Sequence, residues 1–243
     1  MSSAHQVNRP FGLGIELLNR IDYRLAETEA DKDAIYRLRY RAYLNEAAIE
    51  PNPDRKVTDR FDELPNSWVF GVYFEDVLAS SIRISVASPE HPDTPSVAVF
   101  ADVLEPLLAQ GKVMIDPTRF VADPDRAERF PELPYVTLRL AYVATSYFNA
   151  DVGLAAVRAE HQAFYRRFFM HRLWSPPRPF AGLLKPICLM AVDDPAVRDK
   201  VYERYPYLVS SAAEQRMLFT RSTEREHHPA PADRVASQQC LHP

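Results

Sequence analysis

The stretch "IDPTRF" (115–120) follows Lys112-Val113-Met114 and runs into Val121-Ala122, so its flanks read as a buried β-strand while its middle holds an acid, a proline and an arginine. In strict alternation Met114, Asp116, Thr118 and Phe120 share one face of that strand; Val113, Ile115, Pro117, Arg119 and Val121 share the other. Pro117 has no N–H to give, so the strand is an edge, carries a bulge, or parts from its neighbour here. A strand that parts from its neighbour inside a sheet leaves backbone groups free to pair with an extended, amide-bearing ligand.

Working outward, "ETEADKDAIYRLRYRAYLNEA" (27–47) places Thr28 three residues before Asp31, a helix start, and sets Ile35, Leu38, Ala42 and Tyr43 on one face. Arg39 lies on that same face; its head needs a buried partner or a route to solvent. "SWVFGVYF" (67–74) and "VLASSIRISVA" (77–87) read as a hairpin turning at Glu75-Asp76. Val77, Ala79, Ser81, Arg83 and Ser85 share the more polar face of its second strand, so Arg83 points to solvent or into a cleft.

A short helical segment near 100–109 precedes the quoted strand. After it, Leu133, Val136, Leu140, Val143 and Tyr147 make the apolar face of a helix, "VGLAAV" (152–157) a short strand and "RAEHQAFYRRFFMHRL" (158–173) another helix. A Pro-rich loop, a strand at "KPICLMAV" (185–192), a helix at "DPAVRDKVYERY" (194–205) and a closing strand at "RMLFTRS" (216–222) complete the reading. The expected architecture is α/β: one mixed sheet covered by helices in a single domain over 21–221, with a flexible segment over 1–20 and a polar, disordered tail over 222–243.

At 243 residues and 47% hydrophobic, the chain can fill one large core. A formal charge of −4 gives no overall basic field, and no nucleic-acid motif is present. Cys188 and Cys240 are the two cysteines, Cys188 within the apolar "ICLMAV", which suits a reducing compartment and a core thiol. There is no membrane-length apolar run or export signal, and a cytoplasmic location is expected. His91, His161 and His171 sit in unrelated contexts, no Gly-x-Ser-x-Gly elbow exists, and no cluster has metal-ligand spacing.

"LRYRAY" (38–43), "DRFD" (59–62), "IRIS" (82–85) and "DPTRF" (116–120) occur in an order and spacing that resemble acyl-homoserine lactone synthases and the related N-acyl amino acid synthases. These form a branch of the Gcn5-related N-acetyltransferase (GNAT) superfamily. The resemblance covers 21–172, and the later "FYRRFF" and "PICLMAV" look more like the N-acyl amino acid synthases. It implies a GNAT-like sheet splayed at the acyl-donor strand, and an acyltransferase that forms an amide between a fatty acyl group and an amino acid.

Position by position, the resemblance implies Arg39, Tyr43, Asp59, Asp62 and Arg83 for substrate binding. It implies Asp116 and Arg119 for catalysis, with Asp116 taking the amine's proton directly or through water. Thr118, Arg119, Phe120 and Val121 would line the donor. Two departures stand out: Val57 replaces a glutamate common in lactone synthases, which argues against adenosylmethionine use, and Asp116 is one methylene shorter than the family's glutamate.

The glycine-rich loop by which the superfamily holds the CoA pyrophosphate is missing, since none of the six glycines falls between Gly111 and Gly153. An acyl group on the phosphopantetheine of acyl-carrier protein needs no such loop. Carrier proteins are acidic, and between 158 and 190 six cations face the single acid Glu160. Arg158, Arg166, Arg167 and Arg172 are therefore the expected docking residues. No bound cofactor or metal is expected, and membrane contact through 164–174 is the weaker reading of its aromatic residues. An acyl-homoserine lactone synthase and a non-catalytic acyl-binding protein are the competing readings.

Overall fold

The computed structural model describes residues 18–221. Most of the flexible start expected over 1–20, and all of the tail expected over 222–243, lie outside the described residues.

Seven strands form one sheet: β1 (Ile21–Leu25), β2 (Ser67–Phe74), β3 (Val77–Ala87), β4 (Met114–Ala122), β5 (Val152–Val157), β6 (Arg172–Arg178) and β7 (Ile187–Asp193). Their spatial order is β1-β2-β3-β4-β5-β7-β6. β1 to β4 form an antiparallel meander, β4 and β5 run parallel, and β5, β7 and β6 are again antiparallel. The turn at Glu75-Asp76 has φ of 50° and 62°. That is the left-handed pair that matches a tight hairpin to the strand twist.

Helices cover both faces. On one lie α1 (Glu29–Asn45), α2 (Pro95–Val99) and α3 (Ala101–Leu108). Leu38 and Ala42 of α1 pack on Val121, and Val97, Phe100 and Leu104 pack on Met114 and Leu154. After the short α4 (Pro124–Arg129), the other face receives α5 (Leu133–Tyr147), α6 (Gln162–Phe169), α7 (Asp194–Arg204) and α8 (Ala212–Phe219). There Leu140, Val143, Phe169, Val201 and Phe219 close over Phe70, Ile82, Ile84 and Ile115. This is the mixed, helix-flanked sheet expected of a GNAT-like fold.

Three elements differ from the sequence reading. β1, which the polar "IDYRL" hides, pairs with β2 as an edge strand of alternating half-buried and exposed residues. "RLWSPPR", read as the end of a helix and a Pro-rich loop, is β6; as the opposite edge strand it tolerates Pro176 and Pro177 because no strand lies beyond it. The closing strand expected at 216–222 is instead α8, started by Ser211, whose side chain accepts from the Glu214 N–H, and anchored by buried Leu218 and Phe219.

Two local events in β4 shape the centre of the sheet. Arg119 and Phe120 together oppose Ile82, since Thr118 pairs with Arg83 and Val121 with Ser81. Arg119 adopts φ 53°, left-handed. This β-bulge inserts one residue and reverses the alternation. Arg119 and Val121 therefore join Asp116 and Thr118 on the α1 face, and Phe120 joins Ile115 and Pro117 on the α5 face. The strict period had placed Arg119 and Phe120 the other way round.

The second event is the parting of β4 from β5. Only Met114–Val152 and Ile115–Gly153 pair; from Asp116 onward β4 bonds β3 alone, and from Leu154 onward β5 bonds β7 alone. Pro117 still takes part in the β3–β4 ladder opposite Ile84. A proline inside a ladder fits where its nitrogen faces away from the partner strand, and on β4 that direction is the opening.

α1 carries Arg39 toward this region and begins with a full capping box, Thr28 accepting from the Asp31 N–H while Asp31 accepts from the Thr28 N–H. Thr28→Ala is expected to lower stability by about 1 kcal/mol in urea unfolding.

Candidate functional site

Five charged side chains meet on the α1 face of β3 and β4. The turn at 59–62 supplies both acids because it is itself a capping box: Asp59 caps the 3-10 turn Arg60–Glu63 and Asp62 reaches back to the Asp59 N–H. Each carboxylate then has oxygen capacity left for arginine. Arg39 Nη1 donates to both Asp62 oxygens at 2.9 Å. Arg83 Nη1 bridges Asp59 Oδ1 at 2.5 Å and Asp62 Oδ1 at 3.0 Å, while its Nε donates to Thr118 Oγ1 at 3.0 Å. Arg119 donates to Asp59 Oδ2 from Nε at 3.0 Å and from Nη2 at 2.7 Å.

Burial makes this network strict. Arg39 and Arg83 have no exposed surface and Arg119 has 8%. Each guanidinium also faces an aromatic ring: Arg39 lies 5.2 Å from Tyr36, Arg83 5.6 Å from Phe61, and Arg119 5.8 Å from Tyr43 and 5.7 Å from Phe180. Burial alone would push the Asp59 carboxyl up, but Arg83 and Arg119 outweigh it and hold it at about 2. Asp62 is lowered in the same way, burial opposing and Arg39 and Arg83 prevailing. Both acids stay ionised, so three cations share two anions. The unspent charge has a location: Arg39 Nε and Nη2 are buried without a hydrogen-bond partner. Such donors cost free energy unless something accepts from them. The cluster reaches the surface at half-buried Asp59 and Thr118.

Asp116 stands apart from this network. It is fully buried; Ser96 at the start of α2 donates its N–H to Oδ2 at 2.8 Å and its hydroxyl to Oδ1 at 2.6 Å. Burial pushes the Asp116 carboxyl up, against the Ser96 hydrogen bonds. Asp116 has no exposed surface and both its oxygens accept from Ser96, so neither route expected of it, direct or through water, is laid open here. Ser96 carried no motif; Thr94, which caps α2, and Pro95 were its only signals.

Across the sheet, the splay opens onto an apolar cavity of about 30 Å³. Ile115 and Pro117 of β4, Gly153 and Leu154 of β5, and Leu138 and Tyr142 of α5 are among its walls. Of the expected donor-lining residues, Thr118 and Arg119 lie on the ionic side. Phe120 is half-buried toward α5, and Val121 is buried under α1. A larger pocket of about 370 Å³, touched by Asp62, Lys32, Glu63 and Arg221, opens beside β2. It lies two strands from the splay, roughly 10 Å at ordinary strand spacing.

Of the expected docking arginines, Arg166 and Arg172 line the same surface groove. Arg158, at the open end of β5, is paired with Glu46 and Glu160. Arg166 and Arg167 are exposed on α6, Arg167 lying 5.7 Å from the Phe168 ring. Arg172 pairs with Ala191 in the β6–β7 ladder, near the closed end of the splay. Acids outside 158–190, Glu46 and Asp102, neutralise part of the excess that the segment shows by itself. Cys188 is buried and donates to the Val157 carbonyl, as a core thiol does. No helix among the described residues is long and apolar enough to cross a membrane, and no group of three His, Cys, Asp or Glu among them could hold a metal.

Two outcomes test this geometry. Asp116→Asn should cost about 1–3 kcal/mol of stability by disturbing a buried pair. Its folded fraction should keep turnover within about tenfold, where loss of a general base costs roughly 10² to 10⁴. Asp59 lies lower in the folded chain than its ordinary 3.8, so its stabilisation is present above about pH 4 and lost as pH falls toward about 2. The stability gap between wild type and Asp59→Asn should shrink over that window in urea melts at stepped pH.

Residues 34–193 match the family described as "N-acyl amino acid synthase FeeM". The structure of FeeM, an N-acyl amino acid synthase from uncultured soil microbes, is similar with a TM-score of 0.63 at 17% identity, over 76% of this chain and 97% of that one. The CoA-dependent acyl-homoserine lactone synthase BjaI, solved with MTA, gives 0.53 at 12% identity, over 76% and 88%. The acyl-homoserine lactone synthase LasI gives 0.53 at 10% identity, over 70% and 89%. At these identities the likeness is one of fold. No curated protein sequence matches.

Proposed function

As the chain belongs to the FeeM family of N-acyl amino acid synthases, we propose that it transfers a fatty acyl group from the phosphopantetheine of acyl-carrier protein to the amine of an amino acid. The observation that carries this reading is the parting of β4 from β5, with an ionic cluster on one face of β4 and an apolar cavity lined by both strands on the other. An N-acyl amino acid has that same division, a carboxylate at one end and a hydrocarbon tail at the other.

The thioester arm lies in the opening as a missing strand would, bonded to backbone groups that β4 and β5 leave unpaired. Its acyl tail enters the cavity beside Ile115, Pro117 and Gly153. The amino acid's carboxylate is drawn by the cluster's surplus positive charge, with Arg119 nearest the surface and Asp59 and Asp62 fixing the guanidiniums. The amine reaches the carbonyl as its free base, having lost its proton to water at the mouth. Asp116 holds α2 against β4 rather than accepting that proton. The oxyanion that develops on attack is met by backbone N–H groups at the Arg119–Phe120 bulge. It collapses to the amide as the C–S bond breaks, and the proton that the nitrogen sheds goes to the sulfur, which leaves as the pantetheine thiol. Holding both reactants in one slot supplies much of the rate.

Support for a carrier-borne donor rather than CoA is chemical. Where a pyrophosphate would need free backbone N–H groups, the β4–α5 connection carries α4, and α5 starts at Glu132-Leu133-Pro134. An acid and a proline there repel an anion and remove a donor. Arg166, Arg167 and Arg172 are exposed cations of the docking face.

Purified protein given acyl-carrier protein or CoA thioesters with mixed amino acids should yield N-acyl amino acids by mass spectrometry, with the carrier donor preferred. Acyl-homoserine lactone from added adenosylmethionine, or donor binding with no product, would overturn the assignment. Equal use of CoA would overturn the carrier. Pro117→Val restores a backbone donor beside the opening and should raise the KM for the donor at least several-fold; an unchanged KM would separate the arm from this gap.

A further inference from the structure

The apolar cavity shares lining residues with a surface groove. His171 and Val192 line both, the groove being of about 620 Å³ and formed by Met170, Leu173, Trp174, Arg166 and Val197 among others. His171 is brought inward by the end of α6: Met170 takes φ 58°, a left-handed cap that turns the chain, so His171 is 94% buried while its neighbours Met170 and Leu173 are 40% and 46% exposed. The imidazole is seated by one hydrogen bond. Its Nδ1 lies 3.1 Å from the Phe169 carbonyl, which can only accept, so Nδ1 bears the proton. The Tyr165 and Phe169 rings stand edge-on to it at 5.6 Å and 6.5 Å. Burial pushes the imidazole down to about 4, so it is neutral at ordinary pH. The mechanism gives it no proton to move.

We propose that His171, backed by Val192, is the end wall that limits the length of acyl chain this enzyme accepts, and that removing it joins the cavity to the groove beyond. The inference rests on the reading of the cavity as the acyl site. A 30 Å³ slot leaves little room past the splay, whereas the groove behind the wall is some twenty times larger. Its exposed Leu173 and Trp174 offer apolar surface to the carbons that would emerge. Gly153 gives an independent handle from the opposite side: a Cβ there would stand 3.2 Å from Val192 Cγ1, narrowing the slot without left-handed strain.

The test uses the full chain and acyl-carrier protein loaded with saturated acyl groups from butanoyl to hexadecanoyl. In His171→Ala the optimum of kcat/KM should move at least two carbons longer, through KM rather than kcat. In Gly153→Ala long chains should lose at least tenfold while short ones are spared. His171→Leu, which refills the wall without its hydrogen bond, should keep the wild-type profile. Donors brominated near the terminal carbon should quench Trp174 emission in His171→Ala and not in wild type. An unshifted profile in folded His171→Ala, or an equal shift in His171→Leu, would overturn the wall. If no donor yields amide in any variant, the functional reading fails on its own, and quenching by the loaded carriers still decides whether His171 separates cavity from groove.

Discussion

Three guanidiniums sharing two carboxylates beneath a helix is the constraint on which the rest of this molecule depends. Burying one unpaired charge costs several kcal/mol, so removing any member would leave its partner stranded in a medium that cannot solvate it. The arrangement is over-determined for that reason. Asp59 and Asp62 are fixed by the turn they cap, Arg83 is fixed by Thr118 across the strand pair, and Arg39 is delivered by a helix whose first turn is closed on itself. It is also deliberately incomplete, because two nitrogens of Arg39 have nothing to donate to. On the function proposed above, a site that holds positive charge in reserve is preorganised for a carboxylate and gives little to a neutral ligand.

The bulge in β4 is what lets the sheet serve that cluster. Arg119 must take a left-handed backbone, which for an L-residue other than glycine costs about 1 to 2 kcal/mol. Two hydrogen bonds to one Asp59 oxygen and the ring faces of Tyr43 and Phe180 offset that cost. The inserted residue does two things at once: it swings the arginine to the ionic side and leaves backbone groups unmatched beside the opening. A regular strand could do neither.

Much of this was legible in the residues. Pro117 announced that β4 could not stay paired on both sides, and β4 and β5 separate one residue before it. The amphipathic reading of α1 put Arg39 inward, and its partner Asp62 lay in "DRFD", one of the motifs that carry the family resemblance. What the residues hid has physical reasons. A bulge shifts a period of two by one, and nothing in "TRFV" marks which residue is the extra one, so Arg119 and Phe120 were assigned to each other's faces. The Asp116–Ser96 contact joins residues twenty apart in sequence through two elements that meet only in the folded chain. A charge excess counted along 158–190 ignores acids that arrive from elsewhere, such as Glu46 and Asp102. The edge strands β1 and β6 lack the apolar alternation that marks a strand packed on a core.

On the function proposed above, the sheet also acts as a partition that the product would straddle. If the amide forms in the slot, its headgroup stays on the side of α1 and its hydrocarbon on the side of α5, with the new bond passing between two strands. Met114–Val152 and Ile115–Gly153 close one end of that slot. A threaded amphiphile cannot slip out sideways through paired strands; it must travel lengthwise to where β4 and β5 stand apart, along the track the pantetheine arm occupies. Departure is then sequential by geometry, the spent carrier withdrawing before the lipid can follow it out.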